Sequence, residues 1–410
     1  MSGIRISDLR SPVLTAPQQE ALAAAEREPV ELTVEAVLAA AAVGEDVGDF
    51  GPPDFRERLG LWLAEIDVDP NRTAYSRRRM FRDCERLARN RLRVVDLLKR
   101  HPEIHEIEIR QPVIVVGMPR TGTTHLVNTL AADDRFRSLP LWESREPVPR
   151  RGRDFRRVEA RREWEEQLRL NPNGAVMHAM HPDHIHEELE LEAVDFSSYR
   201  MEWSMQMLPT WRDYYLSHDQ TPHYEFLRTM LKVVQWQRGP DRWLLKCPQH
   251  LEQLPALMRT FPDAFVVMTH RDPVSVVQSA VTMMANNSRL AFHRVDVDAV
   301  FAYWVDRVER LLSAGVRDLG AIPDGQRVDV RFDELIGDPD GAVRRIYDGA
   351  GIELSAEVRE QVQVHLVEHA QGKEGRVEYD FRADFGVDPG EVRTRFSEYL
   401  GKFPVHEEVL

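Results

Sequence analysis

The chain contains few cysteines and no long apolar run. Two cysteines, Cys84 and Cys247, among 410 residues cannot build a disulfide-stabilised scaffold, so a reducing cytoplasm is the expected compartment. No stretch approaches the roughly 18 consecutive apolar residues that a membrane-spanning helix needs, and we expect no transmembrane segment. The first residues, MSGIRISDLRSPVL, lack the basic start and apolar core of a secretory signal. The sequence therefore predicts a cytoplasmic protein.

Positive charge is also scarce. The chain has 54 basic and 68 acidic residues, for a net charge of −14, and only five of the basic residues are lysines. This balance excludes a protein that coats nucleic acid, since the phosphate backbone needs a net basic face. An anionic ligand must therefore meet a local basic pocket, in which arginine supplies most of the charge. The apolar fraction of 42% is ordinary for a globular protein.

Short apolar runs alternate with helical patterns after residue 108. This alternation indicates βαβ units and predicts an α/β fold, in which a central parallel sheet is flanked by helices in three layers. Residues 1–108 show only helical patterns, so we expect an N-terminal helical extension before a domain at 109–410. Within that extension an apolar stripe at Met80, Cys84 and Leu87 lies among arginines that are predicted to face solvent. The predicted strands are Val113–Val116, Trp243–Lys246, Ala264–Thr269 and Arg327–Phe332.

The first predicted strand runs directly into a glycine- and threonine-containing turn, VIVVGMPRTGTTHL. Gly117 and Gly122 have the spacing of a Walker A phosphate loop, but Thr123 stands where that motif has lysine. A strand-to-helix turn of this kind directs backbone N–H groups and the helix dipole at an anion. Arg120 is the charged residue of the turn and can hold phosphate-type oxygens without a metal. A plain βα turn without a ligand is the alternative.

GMPRTGTTHL resembles the phosphosulfate loop of sulfotransferases that use 3′-phosphoadenosine 5′-phosphosulfate (PAPS). The closer match is the bacterial branch that carries arginine in the loop. The resemblance implies a P-loop-like fold, PAPS as co-substrate and no requirement for a metal ion. The loop residues expected to bind the donor are Arg120, Thr121, Gly122, Thr123, Thr124 and His125.

Two later segments also resemble this family. In THRDPVSVVQS, Arg271 and Ser279 have the eight-residue spacing with which the family binds the 3′-phosphate. In AQGKEGRVEY, Lys373 and Arg376 resemble the loop that closes over the 3′-phosphate and adenine. The residue order of this last segment departs from that of the animal enzymes, and a simple helix end is the alternative there.

Sulfuryl transfer needs positive charge on the leaving side and a base on the attacking side. We assign the first role to Arg120, with Lys246 at the end of a predicted strand as the second cation. His250 is the first candidate for the general base, because the animal enzymes use a histidine shortly after the equivalent lysine. A carboxylate in the segment HEELELE, Glu187 or Glu188, is the rival candidate, and of these two we select Glu188.

Histidines cluster upstream of these carboxylates, which invites a metal-binding interpretation. The spacing of His178, His181, His184 and His186 does not match a structural zinc site, and no cysteine lies near them. We therefore expect no metal here. The expected role of this segment is a solvated or acceptor-lining loop.

The segment Ser204–Phe226 is rich in Met, Trp and Tyr, which is typical of a core or an apolar pocket wall. We therefore expect a hydroxyl or amine of a small, apolar or lipid-like molecule as acceptor, with no nucleic-acid partner. The sequence leaves the oligomeric state open, including a homo-oligomer. The alternative function is a P-loop kinase or NTPase, which predicts a lysine before Thr124 and an aspartate for Mg²⁺. The lysine is absent.

Overall fold

A five-stranded parallel sheet forms the centre of the molecule. The computed structural model describes residues 3–150, 154–178, 180–240, 242–369 and 375–410. The strand order in the central sheet is β3-β4-β2-β5-β6, and a separate parallel pair joins β1 to β7. The strands are β1 (Ile4–Arg5), β2 (Val113–Gly117), β3 (Phe136–Arg137), β4 (Arg242–Lys246), β5 (Phe265–His270), β6 (Arg327–Arg331) and β7 (Val377–Glu378).

Four helices precede the sheet in the chain. They are α1 (Ala16–Arg27), α2 (Val34–Ala42), α3 (Phe55–Asp67) and α4 (Ala74–Arg100). The long helix α4 begins at Thr73, whose side chain accepts a hydrogen bond from the backbone N–H of Ser76. Its apolar stripe of Met80, Cys84 and Leu87 is fully buried, as predicted.

The N-terminal segment differs from the sequence prediction in two respects. Strand β1 pairs in parallel with β7, so residues 1–108 are not purely helical. The arginines of α4 do not all face solvent, because Arg91 and Arg93 are buried against carboxylates. A strand of two residues is too short to show an alternating pattern in the sequence. The sequence also does not distinguish an arginine that is buried in an ion pair from one that faces solvent. The N-terminal helices share one apolar core with the centre of the molecule.

The central sheet lies between two layers of helices. Ile114 and Val116 of β2 face the larger core, whereas Val113 and Val115 face a second core with Leu126 of α5. This alternation places a helical layer on each face of the sheet. The helices after β2 are α5 (Thr123–Leu130), α6 (Leu141–Arg145), α7 (Arg156–Leu170), α8 (Gly174–Met177), α9 (Leu189–Glu192), α10 (Arg200–Ser204), α11 (Pro209–Ser217), α12 (Thr221–Gln237), α13 (Leu254–Thr260), α14 (Pro273–Ala291), α15 (Val297–Arg317), α16 (Phe332–Gly337), α17 (Pro339–Gly349), α18 (Ala356–Glu368), α19 (Phe381–Phe385), α20 (Pro389–Thr394) and α21 (Ser397–Lys402).

The predicted fold class is confirmed. All four predicted strands lie in the parallel sheet, and each of their ends falls within one residue of the predicted position. Strands β2, β4 and β5 are almost wholly buried, which explains why they read as continuous apolar runs. Among the described helices, none combines the length and apolar character needed to cross a bilayer.

Candidate active site

The loop between β2 and α5 contains two positions, Gly117 and Gly122, at which a larger residue does not fit. Gly122 precedes α5 with a φ of 86°, and a Cβ there would lie 3.1 Å from the ring of Phe332, so a glycine is required. At Gly117 a Cβ would lie 2.0 Å from the hydroxyl of Thr269. Arg120 also adopts a positive φ, of 73°. The loop therefore carries backbone strain at the position of its charged residue.

The threonines of the loop have different tasks. The Thr121 hydroxyl is buried, donates to the carbonyl of Met118 at 2.8 Å and lies 2.7 Å from the hydroxyl of Thr269. Its side chain therefore holds the loop closed instead of facing a ligand. Thr123 and Thr124, at the first turn of α5, line a cavity.

The two predicted phosphate-binding segments meet in the structure. Nε of Arg120 donates to the hydroxyl of Ser279 at 2.9 Å, and Nη1 of Arg271 donates to the carbonyl of Arg120 at 2.6 Å. The hydroxyl of Tyr379 lies 3.1 Å from that of Ser279. The guanidinium of Arg271 stacks on Phe332, with its carbon 3.9 Å from the ring centre. Arg120, Arg271 and Ser279 thus form one cationic group beside the loop.

The lysine and a carboxylate meet on the other side of the loop. Lys246, the last residue of β4, pairs through Nζ with the carboxylate of Glu187. The same Nζ lies 3.3 Å from the hydroxyl of Thr124. Glu187 and Thr124 line the cavity, and the lysine side chain is buried behind them. A cation, a carboxylate and the phosphate-type loop therefore converge at one point.

The other two base candidates, His250 and Glu188, are buried away from the cavity. Nε2 of His250 lies 2.7 Å from Oε1 of Glu188, and Nδ1 lies 2.8 Å from the hydroxyl of Tyr224. The second oxygen of Glu188 accepts the backbone N–H of Lys246 at 2.9 Å. Neither residue exposes any surface, and the described cavity lining includes neither. The structure therefore gives them a structural hydrogen-bond network and leaves Glu187 facing the cavity.

The cavity has a volume of about 1380 Å³, which exceeds the roughly 300–1,000 Å³ of a site for one small ligand. One end is the loop; further walls come from α4, α7 and α14. Its apolar lining includes Met177, Met180, Trp203, Met283 and Leu290. The phosphate-type loop and these apolar side chains thus line the same cavity.

His178 and His186 also line this cavity. Burial lowers the pKa of His178 to about 3, with smaller contributions from the charges of Arg120 and Lys246. Burial likewise holds the pKa of His186 well below its ordinary value. Both imidazoles are therefore neutral near pH 7.

The remaining predicted residues do not join the cationic group in the described part of the chain. His125 is half-buried in α5, and Arg376 is exposed; the described cavity lining includes neither. Lys373 lies outside the described residues. The four upstream histidines form no metal-sized cluster among the described residues, where the grouped ligand atoms belong to Glu192, Cys247 and His250. Both ring nitrogens of His250 already have partners there.

A phosphate-type loop at the carboxyl edge of a parallel sheet, beside converging arginines, defines an α/β enzyme that binds an anionic group. The family model described as the sulfotransferase family matches residues 112–356. The chain belongs to this family and is a sulfotransferase.

Solved structures support this assignment. Sulfotransferase STF9 of Mycobacterium avium has 26% sequence identity and a TM-score of 0.82, with 93% of this chain and 99% of that protein covered. Sulfotransferase STF1 of Mycobacterium tuberculosis has 27% identity and a TM-score of 0.78, with 89% and 98% covered. The omega-hydroxy-beta-dihydromenaquinone-9 sulfotransferase Stf3 of Mycobacterium tuberculosis is 26% identical over 310 residues, which are 70% of this chain and 74% of the relative.

Proposed function

We propose that this sulfotransferase moves the sulfuryl group of PAPS to a hydroxyl, or an amine, of an apolar or lipid-like acceptor. The observation that carries the proposal is the convergence of Lys246, Glu187 and Thr124 at the end of the loop. In-line sulfuryl transfer requires these three elements together: an anion-binding loop, a cation for the leaving oxygen and a carboxylate for the acceptor proton.

The residues present fit the donor. The loop offers the backbone N–H groups at the start of α5 and the hydroxyls of Thr123 and Thr124 to a phosphosulfate. The group formed by Arg120, Arg271 and Ser279 offers guanidinium and hydroxyl donors to a second phosphate. Two anion-binding groups on one cavity, which Arg120 of the loop connects, match a ligand with a 5′-phosphosulfate and a 3′-phosphate.

We assign the general base to Glu187, in place of His250 and Glu188. When bound, PAPS supplies an activated sulfuryl group. The acceptor oxygen forms its bond to sulfur while the bond from sulfur to the bridging phosphate oxygen breaks. Glu187 takes the acceptor proton, since it is the member of the three base candidates that faces the cavity. Lys246 and Arg120 stabilise the negative charge that the leaving phosphate gains.

Two observations support the proposed class of acceptor: the apolar residues of the cavity wall and the substrate for which a relative is named. The wall beyond Glu187 carries Met177, Trp203 and Met283. The Mycobacterium tuberculosis relative is named for an omega-hydroxylated menaquinone derivative, a hydroxyl on a lipid-like body. We transfer from it only the chemical class, a hydroxyl on an extended apolar molecule.

Isothermal titration calorimetry tests the donor site. We expect adenosine 3′,5′-bisphosphate to bind without a divalent ion, and Arg271→Ala to weaken that binding at least tenfold, about 1.4 kcal/mol. Arg327→Ala, which alters an arginine outside the described cavity lining, is the control. Binding of Mg·ATP in preference to the bisphosphate would favour the kinase alternative. Transfer of labelled sulfate from PAPS to a long-chain alcohol then tests the reaction itself.

A further inference from the structure

The arginines of α4 fall into two groups. Seven of the nine pair with a carboxylate: Arg77 with Asp67, Arg78 with Glu28, Arg86 with Glu190, Arg89 with Glu85, Arg91 with Asp195, Arg93 with Glu45 and Arg100 with Asp96. Arg79 and Arg82 form no ion pair or hydrogen bond within the described chain. Both line the cavity. The protein has a net charge of −14, so carboxylates are plentiful. The two arginines of α4 that have no ion-pair partner in the described chain nevertheless both lie at the candidate active site.

Arg79 and Arg82 are one helical turn apart and can approach the same ligand group. Two carboxylates of the same helix have other ion-pair partners: Asp83 lies 3.1 Å from Arg200, and Glu85 pairs with Arg89. The charge of Arg79 still acts on Asp83, but less than that of Arg200 or Arg86. Across the described lining, fourteen arginines stand against nine carboxylates. The described lining therefore carries an excess of positive charge, and Arg79 and Arg82 contribute to it without an ion pair of their own.

The same wall connects to the reaction centre. Glu187 and Glu190 both line the cavity, and the Glu190 carboxylate pairs with Arg86 of α4 at 2.9 Å. Tyr199 and Trp203 also line this cavity. The candidate base, apolar side chains and the arginines of α4 thus line one cavity.

We infer that the acceptor is an amphiphile, with its reactive hydroxyl on an apolar body and an anionic group, carboxylate or phosphate, bound by Arg79 and Arg82. The inference rests on the proposed sulfotransferase reaction and refines its acceptor class. The inference also assigns a function to the N-terminal helices, because α4 supplies the arginines that bind the anionic group. Guanidinium pairs bind carboxylate and phosphate oxygens through charge-assisted hydrogen bonds.

The test compares anionic and neutral acceptors of equal length. Binding is measured by calorimetry in the presence of adenosine 3′,5′-bisphosphate, for ω-hydroxy fatty acids, ω-hydroxyalkyl phosphates and α,ω-diols over a range of chain lengths. We expect at least one anionic probe to bind about tenfold or more tightly than the diol of its length, since charge-assisted hydrogen bonds replace solvated ones. In the double variant Arg79→Gln/Arg82→Gln this ratio falls to about one. Arg77→Gln, on the same helix but paired with Asp67 and outside the described lining, keeps the ratio.

Two results would overturn the inference. One is the absence of any anionic probe that binds better than its diol; the other is a preference that survives in the double variant. The proposed function is judged separately, by binding of the bisphosphate and by transfer of labelled sulfate from PAPS to either class of probe. Sulfation of either class of probe would leave the function standing even if the binding preference is absent, whereas failure to bind the bisphosphate would remove the function.

Discussion

The carboxylate of Glu408 lies on the guanidinium of Arg271, where it accepts from Nε at 2.7 Å and from Nη2 at 2.6 Å. The hydroxyl of Ser275 donates to the same carboxylate at 3.3 Å. Asp272 holds the segment in place, because its carboxylate accepts the backbone N–H of Glu408 at 2.9 Å. A protein carboxylate thus occupies the donors that we propose for the 3′-phosphate.

Glu408→Gln is therefore expected to strengthen binding of adenosine 3′,5′-bisphosphate by up to about tenfold, some 1.4 kcal/mol. Removal of the negative charge weakens the competitor of the phosphate on Arg271 and leaves the size of the side chain unchanged. Calorimetry at low and at physiological salt measures the effect. Glu407→Gln, which alters the neighbouring and more exposed carboxylate, is the matched control. Unchanged or weaker binding in the Glu408 variant would instead mean that the carboxylate orients Arg271 for the phosphate.

Glu187→Gln is expected to lower kcat by about 10²–10⁴, because the glutamine amide cannot take the acceptor proton. Binding of the bisphosphate should change little, since the loop and the arginines are intact. Rates of sulfate transfer from labelled PAPS and calorimetric binding constants separate the two effects. The control is Glu159→Gln, a carboxylate on the same cavity that is distant in sequence. A kcat close to that of the unchanged protein would remove Glu187 as the base.

The sequence predicts the fold closely because the buried strands are continuous apolar runs. Val113–Gly117 and Phe265–His270 need no context to be recognised. Strand β3, Phe136–Arg137, escapes prediction because a two-residue strand has no period. The pairing of β1 with β7 joins residues that are far apart in the sequence, and nothing local in either segment predicts it.

Some residues of the candidate active site can be predicted from the sequence, and others cannot. The phosphate-type loop follows from its glycine spacing, and the structure brings Arg271 and Ser279 to it. From the sequence we select Glu188 as the carboxylate candidate, whereas Glu187 is the one that lines the cavity. The sequence does not show in which direction each of two neighbouring side chains points. Tyr379 and Phe332 beside the arginines were missed. A tyrosine at the end of the Gly- and Lys-containing segment was the available signal for the first, whereas Phe332 follows β6 and offers none.

His250→Ala is expected to cost about 3 kcal/mol of stability, because it leaves Oε1 of the buried Glu188 and the Tyr224 hydroxyl without their histidine partner. Urea unfolding, with fluorescence as the probe, measures the change. His293→Ala, at an exposed position, is the control and should have almost no effect. Full stability together with a collapsed kcat would contradict the structural role and return His250 to the position of general base.

Glu192 makes the free energy of unfolding depend on pH. Its side chain is buried, one oxygen has no hydrogen-bond partner among the described residues, and the other lies 3.9 Å from the sulfur of Cys247. Burial raises the pKa of this carboxyl well above its ordinary value, and the neighbouring Glu188 and Glu187 raise it further. The folded protein therefore keeps a proton that the unfolded chain loses above about pH 4.5.

Stability should consequently fall as the pH rises from about 4.5 towards the folded-state pKa of Glu192, since the folded state binds more protons than the unfolded state over that range. Each pKa unit of the shift corresponds to about 1.4 kcal/mol. Glu192→Gln removes this pH dependence. The melting temperature of the variant minus that of the unchanged protein should therefore increase between pH 5 and pH 8. Glu360→Gln, an exposed carboxylate on α18, should show no such increase. A difference for Glu192→Gln that stays constant over this range would show that the carboxyl is ionised in the folded protein.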